Sequence, residues 1–155
     1  MTEYTDLGAW ALATLQAASD VTDLVVGGAD GILGSGELSA ELLQTAQQTR
    51  RESGEDKVLA VLVTDTGEKP ASHRWEASCI VGICDRGHAY TNIRTLREAV
   101  IEALVGHSAL LARAAVVNHT SYGGRGGHDI LTEFDLDYEW VRISGPLVTE
   151  EEYYA

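Results

Sequence analysis

Lysine is nearly absent from this chain of 155 residues, with Lys57 and Lys69 as its two copies, and arginine supplies most of the cations. Acidic residues exceed basic ones by 24 to 11, so the formal charge is −13. Such a surface repels nucleic acid, because binding requires cations that neutralise phosphates. The composition therefore excludes a general nucleic-acid binder. It suits a passage through which DNA slides without adhering, or the acidic surface that favours solubility in a salt-loving host.

Long apolar runs are missing as well, and no segment approaches the length of about 20 residues that a transmembrane helix needs. The N-terminal segment MTEYTDLG is acidic, where a secretory signal peptide would be basic. These absences predict a protein that is made in the cytosol and is kept there or packaged from there.

Cysteine occurs twice, as Cys79 and Cys84, which is too few for a disulfide framework. The two residues are five apart on one predicted strand, so they face opposite sides of the sheet and cannot form a disulfide there. We expect free thiols in a reducing compartment. The chain has no spacing typical of a zinc site.

Three helices are predicted from apolar residues that recur at helical spacing. The first, residues 6–19, has Asp6 as its N-terminal cap. The second, residues 39–53, has Ser39 as its cap but carries a thin apolar stripe. The third, residues 91–104, has the most regular stripe of the three.

A glycine-rich segment, residues 27–37, follows the first predicted helix. Its five glycines are expected to break any regular element, which predicts a flexible loop. The apolar residues 24–26 are expected to anchor this loop.

Four strands are predicted, and they pair as two hairpins. Residues 57–65 and 73–85 form the first hairpin, joined by a short turn. Residues 112–122 and 128–144 form the second, around a glycine loop at residues 123–127.

The order helix, hairpin, helix, hairpin predicts one α+β domain, residues 1–146, with an antiparallel sheet of two hairpins and helices packed on one face. Residues 147–155 are predicted to form an acidic C-terminal tail. The apolar positions of two helices and of the last strand predict the core. Its expected members are Trp10, Leu15, Leu96, Val100, Leu104, Phe134, Leu136 and Trp140.

A row of acids occupies every second position of the last predicted strand: Glu133, Asp135, Asp137 and Glu139. Residues two apart on a strand point the same way at a separation of about 6.6–6.8 Å, which is too wide for neighbouring carboxylates to share one metal ion. The large residues that alternate with the acids are expected to form the core face. We therefore expect the row to face water.

One pair of histidines allows an alternative with chemistry. If Gly123 and Gly124 form a two-residue turn, His119 and His128 lie opposite each other across the second hairpin. A zinc ion would need a third ligand. A metal-dependent hydrolase that uses His119, His128 and Asp135 is therefore the alternative function of a different class. A small-molecule-sensing module with a pocket between sheet and helices is a third.

The glycine segments lack the lysine-serine ending of a P-loop and the strand-to-helix setting of a G-x-G-x-x-G motif. No serine or cysteine nucleophile lies in a recognisable catalytic motif either. The sequence therefore predicts no active site, no cofactor and no metal.

The layout resembles that of the tail terminator, or tail completion, proteins of long-tailed phages. In that family an N-terminal helix leads into a D-x-x-x-x-L-V-G-G-x-I kind of segment, and the similar segment here is TLQAASDVTDLVVGGADGIL. Its matching residues are Asp20, Leu24, Val25, Gly27 or Gly28, and Ile32. The strand, turn and helix of WEASCIVGICDRGHAYTNIRTLREAVIEAL and the final strand of DILTEFDLDYEWVRIS are similar to the family's as well. The similarity covers residues 5–145. The chain departs from the family pattern in two places: the helix at residues 39–53 is added or enlarged, and the proline before the first strand is missing.

The resemblance implies a structural virion protein without catalysis. It would form a hexameric ring at the top of the tail, near the neck, where it caps the tail tube, terminates tail elongation and joins the tail to the head. Its partners would be further copies of itself, the major tail tube protein and a neck or head-completion protein. DNA would pass through the ring without specific binding, and no membrane would be involved. Another head–tail connector or a neck (head-closure) protein is the nearest alternative.

Two sets of residues are candidates for this function. The acidic row at residues 133–139 would line the channel or form an exposed rim, because carboxylates repel a phosphate backbone. The two glycine loops are candidate docking elements that become ordered in the assembly. Their residues are Gly27, Gly28, Gly34, Gly36, Gly123, Gly124, Arg125, Gly126 and Gly127.

Overall fold

The computed structural model describes residues 7–70, 75–85, 90–105, 108–110, 114–116, 118–122 and 137–148. Within them the helices are α1 Leu7–Ala17, α2 Ser19–Thr22, α3 Ala40–Ser53 and α4 Tyr90–Leu104. The strands are β1 Ile32–Gly34, β2 Ala60–Pro70, β3 Trp75–Asp85, β4 Ser108–Leu110, β5 Ala114–Val116, β6 Asn118–Tyr122 and β7 Asp137–Val148. Two 3₁₀ turns, Gly28–Gly31 and Ser35–Glu37, flank β1.

The described strands form one mixed sheet in the order β1-β2-β3-β7-β5-β4, and β6 also pairs with β7. The long central strands β2, β3 and β7 pair antiparallel. β1 pairs parallel with β2, where Ile32 lies opposite Val61. The prediction of an α+β fold is confirmed, and the short parallel strand adds to the predicted hairpins.

Helices α1 and α4 pack on one face of the sheet, because each carries apolar residues at helical spacing. In α4 the residues Ile93, Leu96, Val100 and Leu104 are three or four apart, and all are buried. They form one core cluster with α1 and with residues of β2, β3 and β7. The predicted burial of Trp10, Leu15, Leu96, Val100 and Leu104 is confirmed. Phe134 and Leu136 lie outside the described residues, and Trp140 is described by its backbone alone.

Helix α3 packs on the opposite face, whereas the prediction placed the helices on one face. Strand β2 is apolar on both sides, so Val61 and Val63 join the core beneath α1 and α4. Leu62 belongs to a second cluster, which also contains Leu43 of α3. A strand that is apolar on both faces is stable only when other elements pack against both faces. Helix α3 packs against the second face. It is also the crossover between the parallel strands β1 and β2, and such a connection is usually a helix.

The start of α1 is held by a carboxylate from the sheet. Asp65 Oδ1 accepts a hydrogen bond from the Gly8 amide at 3.2 Å, and Oδ2 accepts one from the Gly67 amide at 3.0 Å. The register of β2 against β3 shifts between Asp65 and Gly67, which marks a β-bulge. Asp65 therefore stabilises a helix terminus and a bulge together. The predicted cap of this helix, Asp6, lies outside the described residues.

The prediction that residues 27–37 form a loop without regular structure is wrong. The segment contains β1 between two 3₁₀ turns, and Ile32 is fully buried in the main core. The predicted anchor is present, since Val25 forms a parallel bridge with Val58 and the Val26 amide donates to the Val58 carbonyl at 2.9 Å. Pairing with the distant strand β2 decides the structure here, because strand formation depends on context more than on local composition.

Gly31→Ala is expected to lower the free energy of unfolding by about 1–3 kcal/mol, because it overpacks a tight turn. A Cβ at Gly31 would lie 2.3 Å from the Val26 carbonyl oxygen and 2.6 Å from Val25 Cγ1, so the backbone must shift. Gly36→Ala is the matched control, since a Cβ there meets nothing within 4 Å. Urea unfolding of both variants measures the effect. Equal midpoints would show that the turn tolerates a side chain.

Cys79 and Cys84 are free and buried, and they belong to core clusters on opposite faces of the sheet. This confirms the predicted geometry. Burial, and then the charge of Asp85, raise the pKa of the Cys84 thiol from 9.0 to about 12. The thiol is therefore protonated and unreactive in the folded chain at neutral pH.

Stability is expected to fall as the pH rises from 9.0 to about 12, the interval between the two pKa values of Cys84. There the unfolded chain releases the thiol proton while the folded chain keeps it, so unfolding is favoured. Below that interval both states hold the proton and the full stability is present. Urea unfolding of Cys84→Ala across this range is the check. The variant should lose part of the alkaline decline, and a decline identical to that of the wild-type chain would refute the assignment.

Strands β6 and β7 pair antiparallel, as predicted for the second hairpin, but in another register. Tyr122 lies opposite Trp140, and His119 lies opposite Ile143. The alternative in which His119 lies opposite His128 is therefore not supported, and His128 itself lies outside the described residues.

Candidate assembly surface

A cavity of about 140 Å³ opens between α3 and the segment that carries β1. Its walls are mostly apolar and come from the turn before β1, from helix α3 and from the start of β2. The lining residues are Val26, Gly27, Asp30, Gly31, Leu33, Leu38, Leu42, Leu43, Thr45, Ala46, Thr49, Leu59 and Ala60. We call this cavity and its rim the α3 groove.

Local hydrogen bonds hold the walls of the α3 groove in place. Ser39 Oγ accepts from the Leu42 amide at 3.2 Å and so caps α3, as predicted. Glu37 Oε1 accepts from the Gly34 amide at 3.0 Å across the 3₁₀ turn that precedes the helix. Gly27 has a φ of 81°, in the left-handed region that favours glycine. The α3 groove is therefore already formed in the folded chain.

Leu42 lies on the rim of the α3 groove, and 41% of its surface is exposed. Among the described side chains, Leu42 is the one large apolar residue that is exposed. Its neighbour Leu43 is buried and packs against residues of β2. The exposed part of Leu42 continues the apolar surface of the cavity onto the rim, and such a surface can accept an apolar group of a partner.

Acidic residues lie in and near the α3 groove. Residues 1–49 contain seven Asp and Glu residues and no Lys or Arg, so this third of the chain carries more than half of the net charge. Asp30 lies in the lining. Glu41 is exposed and lies one helical turn before the lining residue Thr45, on the same side of α3. The α3 groove thus has an apolar centre and an acidic rim.

The far end of α3 is tied to the sheet by an ion pair between Arg50 and Asp85. Asp85 is fully buried at the end of β3, and Arg50 Nη1 also donates to the Lys57 carbonyl at 3.0 Å. A buried carboxylate requires such a cation, because loss of solvation penalises an unpaired charge. The ion pair therefore fixes the helix that forms one wall of the α3 groove.

The structure places four of the predicted docking residues at or beside this surface. Gly27 lines the α3 groove, and Gly28, Gly34 and Gly36 lie in the same segment. The second predicted docking loop, residues 123–127, lies outside the described residues. A docking role for either loop stays a prediction.

The acidic row is described in part. The backbones of Asp137 and Glu139 pair with buried residues of β3. Glu133 and Asp135 lie outside the described residues. The expectation that the row faces water therefore stays a prediction.

Leu42 and the α3 groove were missed from the sequence, although two signals point to them. Leu42 and Leu43 are adjacent on a helix whose apolar stripe is thin, so one of the two leucines is expected at the edge of the stripe or outside it. The absence of Lys and Arg from residues 1–49 marks the same region as a surface of one charge.

The described ranges contain neither a metal-binding cluster nor a membrane-spanning helix. No group of three or more His, Cys, Asp or Glu side chains there is placed to hold a metal ion. None of the helices in these ranges is long and apolar enough to cross a membrane. The apolar walls of the α3 groove suit contact with an apolar group.

Comparison with known proteins gives a likeness in fold. No protein-family model matches the sequence, and no curated protein matches it. The solved structure of the virion of the native gene transfer agent (GTA) particle contains a similar chain, with a TM-score of 0.52 and 12% sequence identity. The match covers 92% of this chain and 94% of that chain. At this identity the likeness concerns the fold alone, and it extends over nearly the full length of both chains.

Proposed function

We propose that the chain is a structural protein of a tailed, virus-like particle. The single observation that carries the proposal is the fold likeness to a chain of the GTA virion over nearly the whole length of both. The resemblance of residues 5–145 to tail terminator proteins supports it from sequence patterns. Within the particle, the proposed role is a ring that caps the tail tube, terminates tail elongation and joins the tail to the neck.

The α3 groove supports a role in assembly. An apolar cavity with an exposed leucine on its rim suits binding to another protein. The proposed partners are further copies of the chain, the major tail tube protein and a neck or head-completion protein. The charge of −13 suits a ring through which DNA passes without adhering.

A head–tail connector or neck (head-closure) protein of the same particle is the alternative. The fold likeness to a chain of the GTA virion supports either position within the particle equally. A metal-dependent hydrolase that uses His119, His128 and Asp135 gains no support, because the register places Ile143 opposite His119.

Tube growth in the presence of the purified chain tests the proposed role. The major tail tube protein of the same particle is polymerised alone, with the chain, and with an unrelated protein of similar charge. We expect the chain to shorten the tubes at substoichiometric amounts and to appear at one tube end in negative-stain images. Tubes of full length with no bound chain would contradict a terminator role and would favour the neck alternative.

Replacement of Asp135 and Asp137 together by Asn is expected to leave folding and ring formation nearly intact, because like charges in a row repel and do not stabilise a strand. If the row lines the channel, particles with the variant should eject DNA more slowly; on an outer rim, the ejection rate should not change. Circular dichroism, native mass and an ejection assay measure the three properties. A variant that fails to fold, or that loses a bound metal, would refute a solvated row.

A further inference from the structure

We propose that the α3 groove binds one apolar side chain from a basic segment of a neighbouring virion protein. The identity of the partner rests on the proposed function, and the chemistry of the contact rests on the groove itself. The occupant is a segment that has one anchor of the size of leucine, methionine or phenylalanine, flanked by Lys or Arg.

The size of the α3 groove fits a single anchor. An apolar cavity of roughly 150 Å³ accepts a benzene molecule and stays dry when empty. The α3 groove has a similar volume of about 140 Å³, and the leucines Leu38, Leu43 and Leu59 of its walls are buried. An inserted side chain would therefore gain dispersion contacts on several sides.

Leu42 extends the apolar surface from the cavity onto the rim. Its exposed part would lose solvent when a partner segment lies across the α3 groove. Residues that become fully desolvated around a filled pocket contribute most of the binding free energy at protein interfaces. Leu42 is therefore the residue on which binding should depend most.

The acidic rim selects a basic partner over a second copy of the same surface. Asp30 lines the α3 groove, and Glu41 is exposed one helical turn before the lining residue Thr45. Arg50, the first cation after residue 49, is paired with the buried Asp85. Two copies placed groove to groove would bring acids against acids, which opposes binding. Lys or Arg beside the anchor would instead face the rim and speed association.

Peptide display against the full chain tests this inference. A library of random short peptides is selected on the wild-type chain after depletion on an unrelated protein of similar charge. The enriched peptides are then synthesised, and their affinity is measured by fluorescence polarisation. We expect them to share one large apolar residue flanked by Lys or Arg.

Variants at Leu42 test the anchor contact. Leu42→Asp is expected to weaken binding of the enriched peptides by about tenfold or more, because it replaces an apolar contact beside the anchor with a charge that would lose its solvation. Leu42→Met should keep binding, because it nearly preserves volume and polarity. Thermal unfolding shows whether each variant folds, and Leu42→Gln replaces Leu42→Asp if the aspartate variant does not fold.

Variants at the rim test the charge contact. Asp30→Asn combined with Glu41→Gln should weaken binding several-fold at low salt and have little effect near 1 M salt, where charges act over about 3 Å. The matched control is Asp20→Asn combined with Glu102→Gln, two exposed acids on α2 and α4. The control should bind the peptides as the wild-type chain does.

Three results would overturn the inference. The first is a set of enriched peptides that are acidic or lack an apolar anchor. The second is equal binding by wild type and Leu42→Asp. The third is loss of a native ring in Leu42→Asp, which would make a second copy the occupant. A chain that binds the peptides but never forms a ring would support the α3 groove as a binding site. It would contradict the proposed ring.

Discussion

Arg50→Ala is expected to lower the free energy of unfolding by about 3–5 kcal/mol, because removal of one partner leaves a buried charge without its counter-ion. The carboxylate of Asp85 is 0% exposed, and the Arg50 side chain that faces it is 24% exposed. The same guanidinium also donates to the Lys57 carbonyl, so the variant loses a tie between α3 and the chain that leads into β2.

Arg51→Ala is the matched control for this prediction. Arg51 is the next residue on α3, is exposed, and donates to the Gln48 side chain of the same helix at 3.2 Å. An exposed contact of this kind contributes about 0–1 kcal/mol. Urea unfolding at neutral pH compares the two variants. Similar losses for Arg50→Ala and Arg51→Ala would mean that the ion pair does not hold α3 to the sheet.

Leu104→Ala is expected to lower the free energy of unfolding by about 2–5 kcal/mol, since it removes buried atoms and leaves a cavity. Leu104 is 0% exposed near the end of α4 and belongs to the main core cluster. The cluster joins α4 to α1 and to the central strands, so relaxation into the cavity should be limited.

Glu102→Ala is the control on the same helix, because Glu102 is exposed and the change improves helix propensity slightly. Its midpoint in urea should lie close to that of the wild-type chain. A loss for Leu104→Ala that is indistinguishable from the loss for Glu102→Ala would contradict the packing of α4 on the sheet.

Helices and central strands of this fold could be predicted because their signals are local. Leu96, Val100 and Leu104 repeat at helical spacing, and the valines and leucines of residues 58–63 predict a buried strand. The opposite faces of Cys79 and Cys84 follow from the period of two residues in a strand. Each of these patterns lies within one element and needs no knowledge of distant neighbours.

Features that depend on distant pairing could not be predicted. β1 is a strand because Ile32 pairs with Val61 of β2, and its glycines alone indicate a loop. Arg50 and Asp85 are 35 residues apart and resemble ordinary surface charges in the sequence. The position of α3 on the second face depends on the crossover that it forms between β1 and β2.

The α3 groove itself was not predicted, although the sequence drew attention to one of its walls. It indicated residues 27–37 as a docking element because glycines were expected to leave them flexible, and that role stays a prediction. The structure instead makes this segment one wall of a formed apolar cavity, with α3 as the other wall. The cavity could not be predicted, because its walls meet only after α3 has packed on the sheet.

The native mass of the purified chain in solution, measured with and without the major tail tube protein, tests the central claim most directly. We predict a ring of six copies of the 16.6 kDa chain, formed alone or on addition of tube protein, and its capture at the ends of tubes. A mass of one chain under both conditions, with no association with tubes, would contradict the account.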